Sequence, residues 1–299
     1  MKIRKRLKPK EIEFLGLPKK KNNRYTLNQK QLESLQLYRK KNRTEKKKSA
    51  KIYIVDIETA PTKAYVFGKW KQNIHDDALI SDWFILTWSA KELFSDKIYS
   101  ATITPQEVKK EDDYRVCKGL FKILDDADII VGHNFKNFDR KKSNSRFLIN
   151  DLGCPSSYQI IDTCLQARKN LGELSNKLDV LAKKLGVGRK VEHQGMKLWV
   201  DCLEGDKEAL KKMQEYNDGD ILINEEVYLK LRPFIMPHPN LSLFLDTDKL
   251  VCPSCESEKI KPISEYTTYA NVYTEYRCDN CGNRCRANKK HTKITPLPR

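Results

Sequence analysis

The sequence contains no long hydrophobic run. A membrane-spanning helix needs about 18 or more consecutive apolar residues, and no stretch of the 299 residues approaches that length. Residues 1–11 are highly charged and are followed by no apolar segment of the kind that forms the core of a secretory signal. These absences argue against a membrane-spanning or secreted protein, so we expect a cytoplasmic location.

The sequence also lacks the cysteine pattern of a disulfide-bonded protein. Of its nine cysteines, four are scattered singly through the middle of the chain and five lie within residues 252–285. Scattered cysteines are typical of buried thiols, and a terminal cluster is typical of a metal site in a reducing compartment. The scattered cysteines are Cys117, Cys154, Cys164 and Cys202.

Acidic residues are scarce at the start of the chain. Residues 1–50 contain 18 Lys and Arg against 4 Asp and Glu, a net charge of +14 out of +17 for the whole sequence. Apart from a stretch at 26–38 that is compatible with a short helix, the segment has little apolar periodicity. We therefore expect residues 1–50 to form a basic, largely flexible N-terminal arm. Such a flank favours a polyanionic partner, either nucleic acid or an acidic membrane surface.

The middle of the chain is nearly neutral, as in an ordinary globular domain. Residues 51–250 contain 30 basic against 31 acidic side chains. Apolar runs at 52–59, 83–91 and 97–104 predict three strands, and alternating helices and strands follow. This order predicts an α/β fold with a mixed-direction sheet flanked by helices, over residues 51–235. Prolines then mark a linker at 236–250.

The first predicted strand carries two carboxylates near its end. Asp56 and Glu58 are two residues apart, so on an extended chain both side chains project from one face. Two charges on a buried strand cost free energy unless they are neutralised, and a divalent cation does this well. The alternative is structural, with Glu58 ending the strand and Asp56 capping a turn. The pair alone leaves both interpretations open.

Further acidic residues stand at the ends of other predicted elements. Asp139 follows the predicted strand DIIVGH, and Asp220 lies in a long predicted helix. Tyr216 precedes Asp220 by four positions, so these two side chains project from one face of that helix. A metal or catalytic site forms only if the fold brings these elements together, which the sequence alone does not show.

In order and in spacing these motifs resemble those of the DEDD superfamily of 3′–5′ exonucleases, which share a ribonuclease H-like fold. The first motif is IVDIET, the second is Asn134-Phe-Lys-Asn-Phe-Asp139, and the third is Tyr216-x-x-x-Asp220. Position 215, where the histidine subfamily would need His, is Glu. The resemblance is to the tyrosine subfamily, in particular to stand-alone, often virus-encoded members, and it covers roughly residues 50–235.

The resemblance implies the roles of individual residues. It implies a metal-dependent 3′–5′ exonuclease with two Mg²⁺ or Mn²⁺ ions, in which Asp56 bridges both ions and Glu58, Asp139 and Asp220 complete the ligands. Tyr216 would orient the attacking water. Thr59 and Asn134 are candidate substrate-binding residues, with turn or cap hydrogen bonds as an equal alternative.

The resemblance also implies the partners. Single-stranded DNA is the favoured substrate and RNA remains open, with no membrane partner. No polymerase motif follows the exonuclease block, so a role in replication proofreading or repair would involve a separate DNA polymerase or other replication protein. If the protein is viral, it would act in the host cytoplasm. One alternative is a catalytically idle nucleic-acid-binding adaptor, but the presence of all five expected catalytic residues argues against it. The other alternative is an RNase H-like endonuclease, which the tyrosine motif disfavours.

Residues 251–299 carry the signature of a zinc ribbon. Two Cys-x-x-Cys pairs, Cys252 with Cys255 and Cys278 with Cys281, are separated by 22 residues. Four thiolates at this spacing predict one structural Zn²⁺, and the β-branched and aromatic residues between the pairs predict the hairpin of the ribbon. Cys285 is left over as a spare thiol. Whether the ribbon binds nucleic acid or a protein remains open.

Overall fold

The structure is a computed structural model. It describes residues 3–6, 9–18, 24–41, 49–188, 195–247, 249–269 and 271–287. The chain divides into two compact units, residues 1–47 and residues 48–299. Parts of the predicted basic arm and residues 288–299 of the predicted ribbon lie outside the described ranges. Among the described helices, none combines the length and the apolar character needed to cross a bilayer.

The first unit contains more regular structure than the predicted flexible arm. Its elements are β1 (Ile3–Arg6), α1 (Pro9–Phe14), β2 (Arg24–Leu27) and α2 (Gln29–Lys41). The two strands pair antiparallel, and Asn28 and Gln31 form reciprocal side-chain to backbone hydrogen bonds at the start of α2. A few apolar side chains at strand and helix spacing form a small core. The sequence analysis did not predict this core because Lys and Arg dominate the composition of the segment. This core contains Ile12, Tyr25, Leu27, Leu32 and Leu35.

The second unit begins with the strands of its main sheet and a short hairpin. They are β3 (Ile52–Thr59), the hairpin strands β4 (Lys63–Ala64) and β5 (Leu79–Ser81), β6 (Ile85–Glu92), β7 (Ile98–Thr102), β8 (Ile129–Gly132) and β9 (Gln159–Asp162). The main sheet has the order β7-β6-β3-β8-β9. Its first three strands pair antiparallel, whereas β3, β8 and β9 are parallel. The predicted mixed sheet is therefore confirmed.

Helices lie on both faces of this sheet, between β3 and β8, between β8 and β9, and after β9, as parallel connections require. They are α3 (Pro105–Lys110), α4 (Tyr114–Asp126), α5 (Asp139–Ile149), α6 (Thr163–Asn170), α7 (Leu178–Leu185), α8 (Met196–Leu203) and α9 (Lys207–Leu231).

The central strand β3 has both of its faces buried over most of its length. Tyr53 and Val55 belong to one hydrophobic cluster, and Ile52 and Ile54 belong to the cluster on the opposite face. Burial on both faces explains why the strand reads as a nearly continuous apolar run. Only toward its carboxyl end does it carry half-buried side chains, which include the two carboxylates.

Helix α9 contributes to both clusters. Its first half packs Leu210 and Met213 into the cluster that contains Val55, and its second half packs Val227 and Leu231 into the other. The middle of α9 therefore passes across the sheet close to β3. Asn217, in this part of α9, donates a hydrogen bond to Asp56 of β3.

The segment after α9 is packed, although the sequence predicts a linker there. Ile235 and Leu241 are buried in the same cluster as Val227, and the Leu241 amide donates to the carbonyl of Pro253, 2.7 Å away. The cysteine-rich region forms a three-stranded antiparallel sheet. Its strands are β10 (Ile260–Thr267), β11 (Val272–Cys278) and β12 (Arg284–Arg286).

Candidate active site

A cavity of about 690 Å³ opens at the carboxyl end of β3. It is bounded by β3, the loop between β8 and α5, helix α6, the loop between α6 and α7, and the middle of α9. Polar and charged side chains dominate its wall. They include Asp56, Glu58, His133, Asn134, Asp139, Arg168, Asn176, Lys177, Asp179, Tyr216 and Asp220.

Three carboxylates converge in this cavity. One carboxylate oxygen from each of Asp56, Glu58 and Asp220 lies within 4.8 Å of the other two. Asp56 and Glu58 are half-buried, and Asp220 is only 4% exposed. Carboxylates this close repel one another unless a cation neutralises them. A set of converging oxygen ligands on buried or half-buried side chains suits a hard divalent ion such as Mg²⁺ or Mn²⁺, so these residues fit the metal that the sequence predicts.

Asp139 is the fourth carboxylate in the cavity wall. It begins α5, is 2% exposed, and its Oδ1 accepts a hydrogen bond from the Ile57 amide at 3.1 Å. This bond ties the start of α5 to the strand segment between the two carboxylates of β3. Burial raises the pKa of Asp139 to about 7, since the charged form loses solvation. Its oxygens are not part of the 4.8 Å set formed by the other three.

A tight turn places Asp139 after β8. Asn134 has a φ of +64°, the left-handed region that Asn tolerates better than most residues. Asp162, at the N-terminus of α6, accepts hydrogen bonds from the amides of Asn134 and Lys136, each at 3.0 Å. At Gly132 a Cβ atom would lie 2.6 Å from the Cβ of Phe135, so only glycine fits there. The turn is therefore rigid, and it points the start of α5 toward β3.

Helix α9 supplies Tyr216 and Asp220, one turn apart, to the cavity. The Tyr216 ring is 6% exposed and packs edge-on against Trp199, with 6.3 Å between centroids. Between the two, Asn217 donates from Nδ2 to Oδ2 of Asp56 at 2.6 Å. This contact across the chain holds one of the converging carboxylates in place.

The structure thus brings all five predicted catalytic side chains to one cavity, and it distinguishes between the two predicted substrate-binding residues. Asn134 lines the cavity. Thr59 is not part of the wall and pairs with Ile85 in the ladder between β3 and β6. Asp218, the other acidic residue near Tyr216, accepts hydrogen bonds from Ser89 and Gln214 outside the cavity.

Several other residues of the cavity wall belong to none of the three motifs. His133 lies within hydrogen-bonding distance of Thr163 and of the Asn176 carbonyl, which makes it part of the loop structure. Arg168 and Lys177 add exposed positive charge to the acidic wall. The sequence distinguishes Arg168 and Lys177 only by their positive charge. Many surface residues carry the same charge, so it does not predict a place in the cavity.

The cysteine-rich region contains a second candidate metal site. Sulfur atoms of Cys252, Cys255, Cys278 and Cys281 lie within 4.8 Å of one another, with 3.7 Å from Cys252 to Cys281 and 3.6 Å from Cys255 to Cys278. Four converging sulfurs are the donor set of a tetrahedral structural Zn²⁺. Cys285, on β12, is outside the set.

Comparison with known proteins adds a family match. Residues 53–232 match the family RNase_H_2, which is described as part of the RNase_H superfamily. No curated protein matches the sequence significantly. A family B DNA polymerase from the hyperthermophilic archaeon Pyrobaculum calidifontis is similar in structure, with a TM-score of 0.43 and 17% identity. The match covers 61% of this chain but only 25% of the polymerase, and at this level it carries no functional argument. The family match spans more than half of the sequence and contains every carboxylate of the cavity: the chain belongs to the RNase H superfamily.

Proposed function

We propose that the protein is a metal-dependent 3′–5′ exonuclease that shortens single-stranded nucleic acid, with DNA as its favoured substrate. The observation that carries the proposal is the convergence of Asp56, Glu58 and Asp220 within 4.8 Å in a cavity that also contains Asp139 and Tyr216. Membership of the RNase H superfamily supports a nuclease role. The tyrosine motif favours removal of terminal nucleotides over internal cleavage.

Asp56, Glu58, Asp139 and Asp220 would hold two Mg²⁺ or Mn²⁺ ions. When bound, such ions neutralise the charge that develops on phosphate oxygens and favour the ionised form of water. The protein holds these carboxylates rigidly, since Asp56 accepts from Asn217 and Asp139 accepts from the Ile57 amide. Ligands that are already oriented need little reorganisation when metal and substrate bind.

Tyr216 would orient the attacking water by a hydrogen bond from its phenol. A phenol has an ordinary pKa near 10, so at neutral pH it keeps its proton and is better suited to orienting water than to removing a proton from it. Packing against Trp199 restricts the ring. The exposed cations of Arg168 and Lys177 in the cavity wall would attract the phosphates of the strand.

The test is cleavage of 5′-labelled linear DNA and RNA of the same sequence, with Mg²⁺, with Mn²⁺ and with a chelator. We expect a ladder of products that shorten from the 3′ end only when metal is present. Asp220→Asn should abolish shortening, and Asp218→Asn is the matched control, because Asp218 lies on the same helix but outside the cavity. Tyr216→Phe should lower kcat by at least about tenfold, which corresponds to about 1.4 kcal/mol, with little change in KM.

Other outcomes would contradict the proposal. Cleavage of circular single-stranded DNA would indicate an endonuclease. Tight binding with no shortening in either metal would indicate a catalytically idle adaptor. If Asp218→Asn inactivates the protein while Asp220→Asn does not, the assignment of the fourth carboxylate is wrong.

We also propose that Cys252, Cys255, Cys278 and Cys281 hold one structural Zn²⁺, and that the ribbon they organise serves in proofreading or repair beside a separate polymerase. The convergence of the four sulfurs supports the metal. Removing residues 251–299 separates the two roles open to the ribbon. If naked DNA is still shortened but stimulation by a polymerase is lost, the ribbon docks protein; if shortening of naked DNA weakens, it grips substrate.

A further inference from the structure

A hairpin that follows the catalytic strand exposes an unusual number of large apolar side chains. The chain leaves β3, pairs Lys63 with Ser81 and Ala64 with Leu79, and is closed by a hydrogen bond from the Tyr65 amide to the Ala78 carbonyl at 2.9 Å. Beyond this base, Tyr65 is 77% exposed, Trp70 is 85% exposed and Phe67 is fully exposed. We name residues 65–74 the aromatic hairpin. Several large apolar side chains exposed so close together are typical of an interaction site.

The charge of this region favours an anionic ligand. Residues 60–75 contain Lys63, Lys69 and Lys71 and no acidic residue, so cations alternate with the exposed rings. Acidic residues resume at Asp76 and Asp77, where the chain turns back toward β5. Aromatic rings interleaved with lysines form the surface that single-stranded nucleic acid binds, since the rings stack with bases of any sequence and the lysines pair with phosphates.

A second series of side chains runs from the base of the hairpin to the cavity. Trp83 lies two positions after the end of β5, with Asp82 between them. The Lys142 ammonium lies 3.6 Å from the centre of the Trp83 ring. The same ammonium lies 5.9 Å from the ring of Phe138, which lines the cavity and is 37% exposed. Rings and a cation therefore continue from the wall of the active site to the point where the hairpin begins.

We propose that the aromatic hairpin is a stacking platform for single-stranded nucleic acid, which it holds on the 5′ side of the nucleotide being removed. The strand would run from the cavity past Phe138, Lys142 and Trp83 to Trp70 and Phe67. The proposal rests on the proposed nuclease function for the class of ligand. It adds the surface that keeps a long strand bound between successive cleavages.

Equilibrium binding of a long oligothymidylate to the full-length protein tests this platform. The measurement is made in EDTA, so that no cleavage occurs and the result does not depend on catalysis. The double variant Phe67→Ala/Trp70→Ala should bind more weakly by about 5- to 150-fold for each ring removed, as expected for stacking worth about 1–3 kcal/mol per base. Phe94→Ala is the matched control. Phe94 is 69% exposed, but it follows the carboxyl end of β6, whereas the aromatic hairpin and Trp83 precede the amino end of that strand.

Tryptophan fluorescence tests whether Trp70 itself contacts the bases. Its emission would not change on binding if Trp70 had only a structural role. Oligothymidylate should quench the wild-type emission, and Trp70→Phe should remove much of the quenching while keeping most of the affinity, because phenylalanine still stacks. Unchanged affinity in the double variant, or the same loss in Phe94→Ala, overturns the proposal and leaves the hairpin as a surface for another partner. If the platform binds as expected but no metal supports shortening, the nuclease function fails and the platform stands.

Discussion

At the scale of single residues, the Asp56 carboxylate depends on a neighbour that no motif identifies. The Asn217 amide donates to it at 2.6 Å, although the two residues are 161 positions apart in the sequence. Asn217 is fully buried, so its side chain has no water to compete for that bond. In the proposed metal site this carboxylate must keep a fixed orientation, and a buried amide donor provides it.

Replacing Asn217 should therefore weaken metal binding more than it weakens the fold. We expect Asn217→Ala to require about 10- to 100-fold more Mn²⁺ for half-maximal shortening, the usual cost of losing a residue that orients a ligand. The measurement is activity as a function of Mn²⁺ concentration, with Glu215→Ala, an exposed position two residues away, as the control. An unchanged metal requirement with a lowered melting temperature would show that Asn217 only supports packing.

The same hydrogen bond shows where prediction from sequence ends at this scale. Asp56, Glu58, Asp139, Tyr216 and Asp220 were predictable because each stands at a fixed spacing on its own element, and the fold had only to bring those elements together. Asn217 was not, because its role depends on which strand α9 crosses. Thr59 is not part of the cavity wall because it follows Glu58 directly on β3, and successive side chains of a strand point to opposite faces of the sheet.

At the scale of elements, α3 is held by a charged group at its first turn. Glu107 accepts hydrogen bonds from the Thr104 amide and from two nitrogens of Arg115 at 2.8 Å, in a capping box. The hydrogen bonds from Arg115 lower the pKa of Glu107 to about 2 from an ordinary value of 4.5. The folded protein therefore binds this proton less readily than the unfolded chain.

This difference predicts a pH-dependent contribution to stability. Because the pKa is lowered by folding, the contribution is complete above about pH 5 and is lost as the pH falls from 4.5 toward 2. We expect Glu107→Gln to cost about 1–3 kcal/mol at neutral pH, a range that allows for partial exposure of the pair to solvent. Urea unfolding of both proteins at several pH values measures it, and a difference that stays constant down to about pH 3 would contradict this origin.

Strands were easier to predict than short helices. The runs that became β3 and β8 are apolar on both faces over most of their length, which few other structures permit. In β6, the polar residues Thr87, Ser89 and Lys91 alternate with apolar ones, which is the period of a strand. Helices α3 and α8 have only six and eight residues, too short for a clear apolar period, and the sequence analysis did not identify them. Helix α7 begins after Lys177, whose side chain makes no capping hydrogen bond, so no capping residue in the sequence marks its first turn.

At the scale of the whole molecule, positive charge is concentrated at the start of the chain. Residues 1–50 hold +14 of the net +17, and nucleic acid is the polyanion that fits the proposed function. Removing residues 1–47 should flatten the dependence of log affinity on log salt by roughly 0.7 for each phosphate of a single strand that these residues neutralise. Binding of labelled oligonucleotides over a range of salt concentrations measures this slope, and an unchanged slope would assign the charge to a different partner.

The cysteine-rich region should depend on metal for its stability. Most side chains of β10 are exposed, so this sheet has little apolar core of its own. A structural Zn²⁺ contributes on the order of 10 kcal/mol to the folding of such modules. We expect the purified full-length protein to contain one zinc per chain, Cys278→Ser to lose it and Cys285→Ser to keep it. Zinc loss from Cys285→Ser would overturn the choice of ligands.

Helix α9 packs into both hydrophobic clusters, and this packing determines which part of the unit unfolds last. The helix that carries Tyr216 and Asp220 cannot detach without exposing both hydrophobic clusters, so the candidate active site belongs to the last part of the unit to unfold. Backbone amides near Asp220 should exchange with deuterium only through global unfolding, whereas those of residues 65–74 should exchange much faster. In rising denaturant, nuclease activity should then persist until the unit unfolds as a whole.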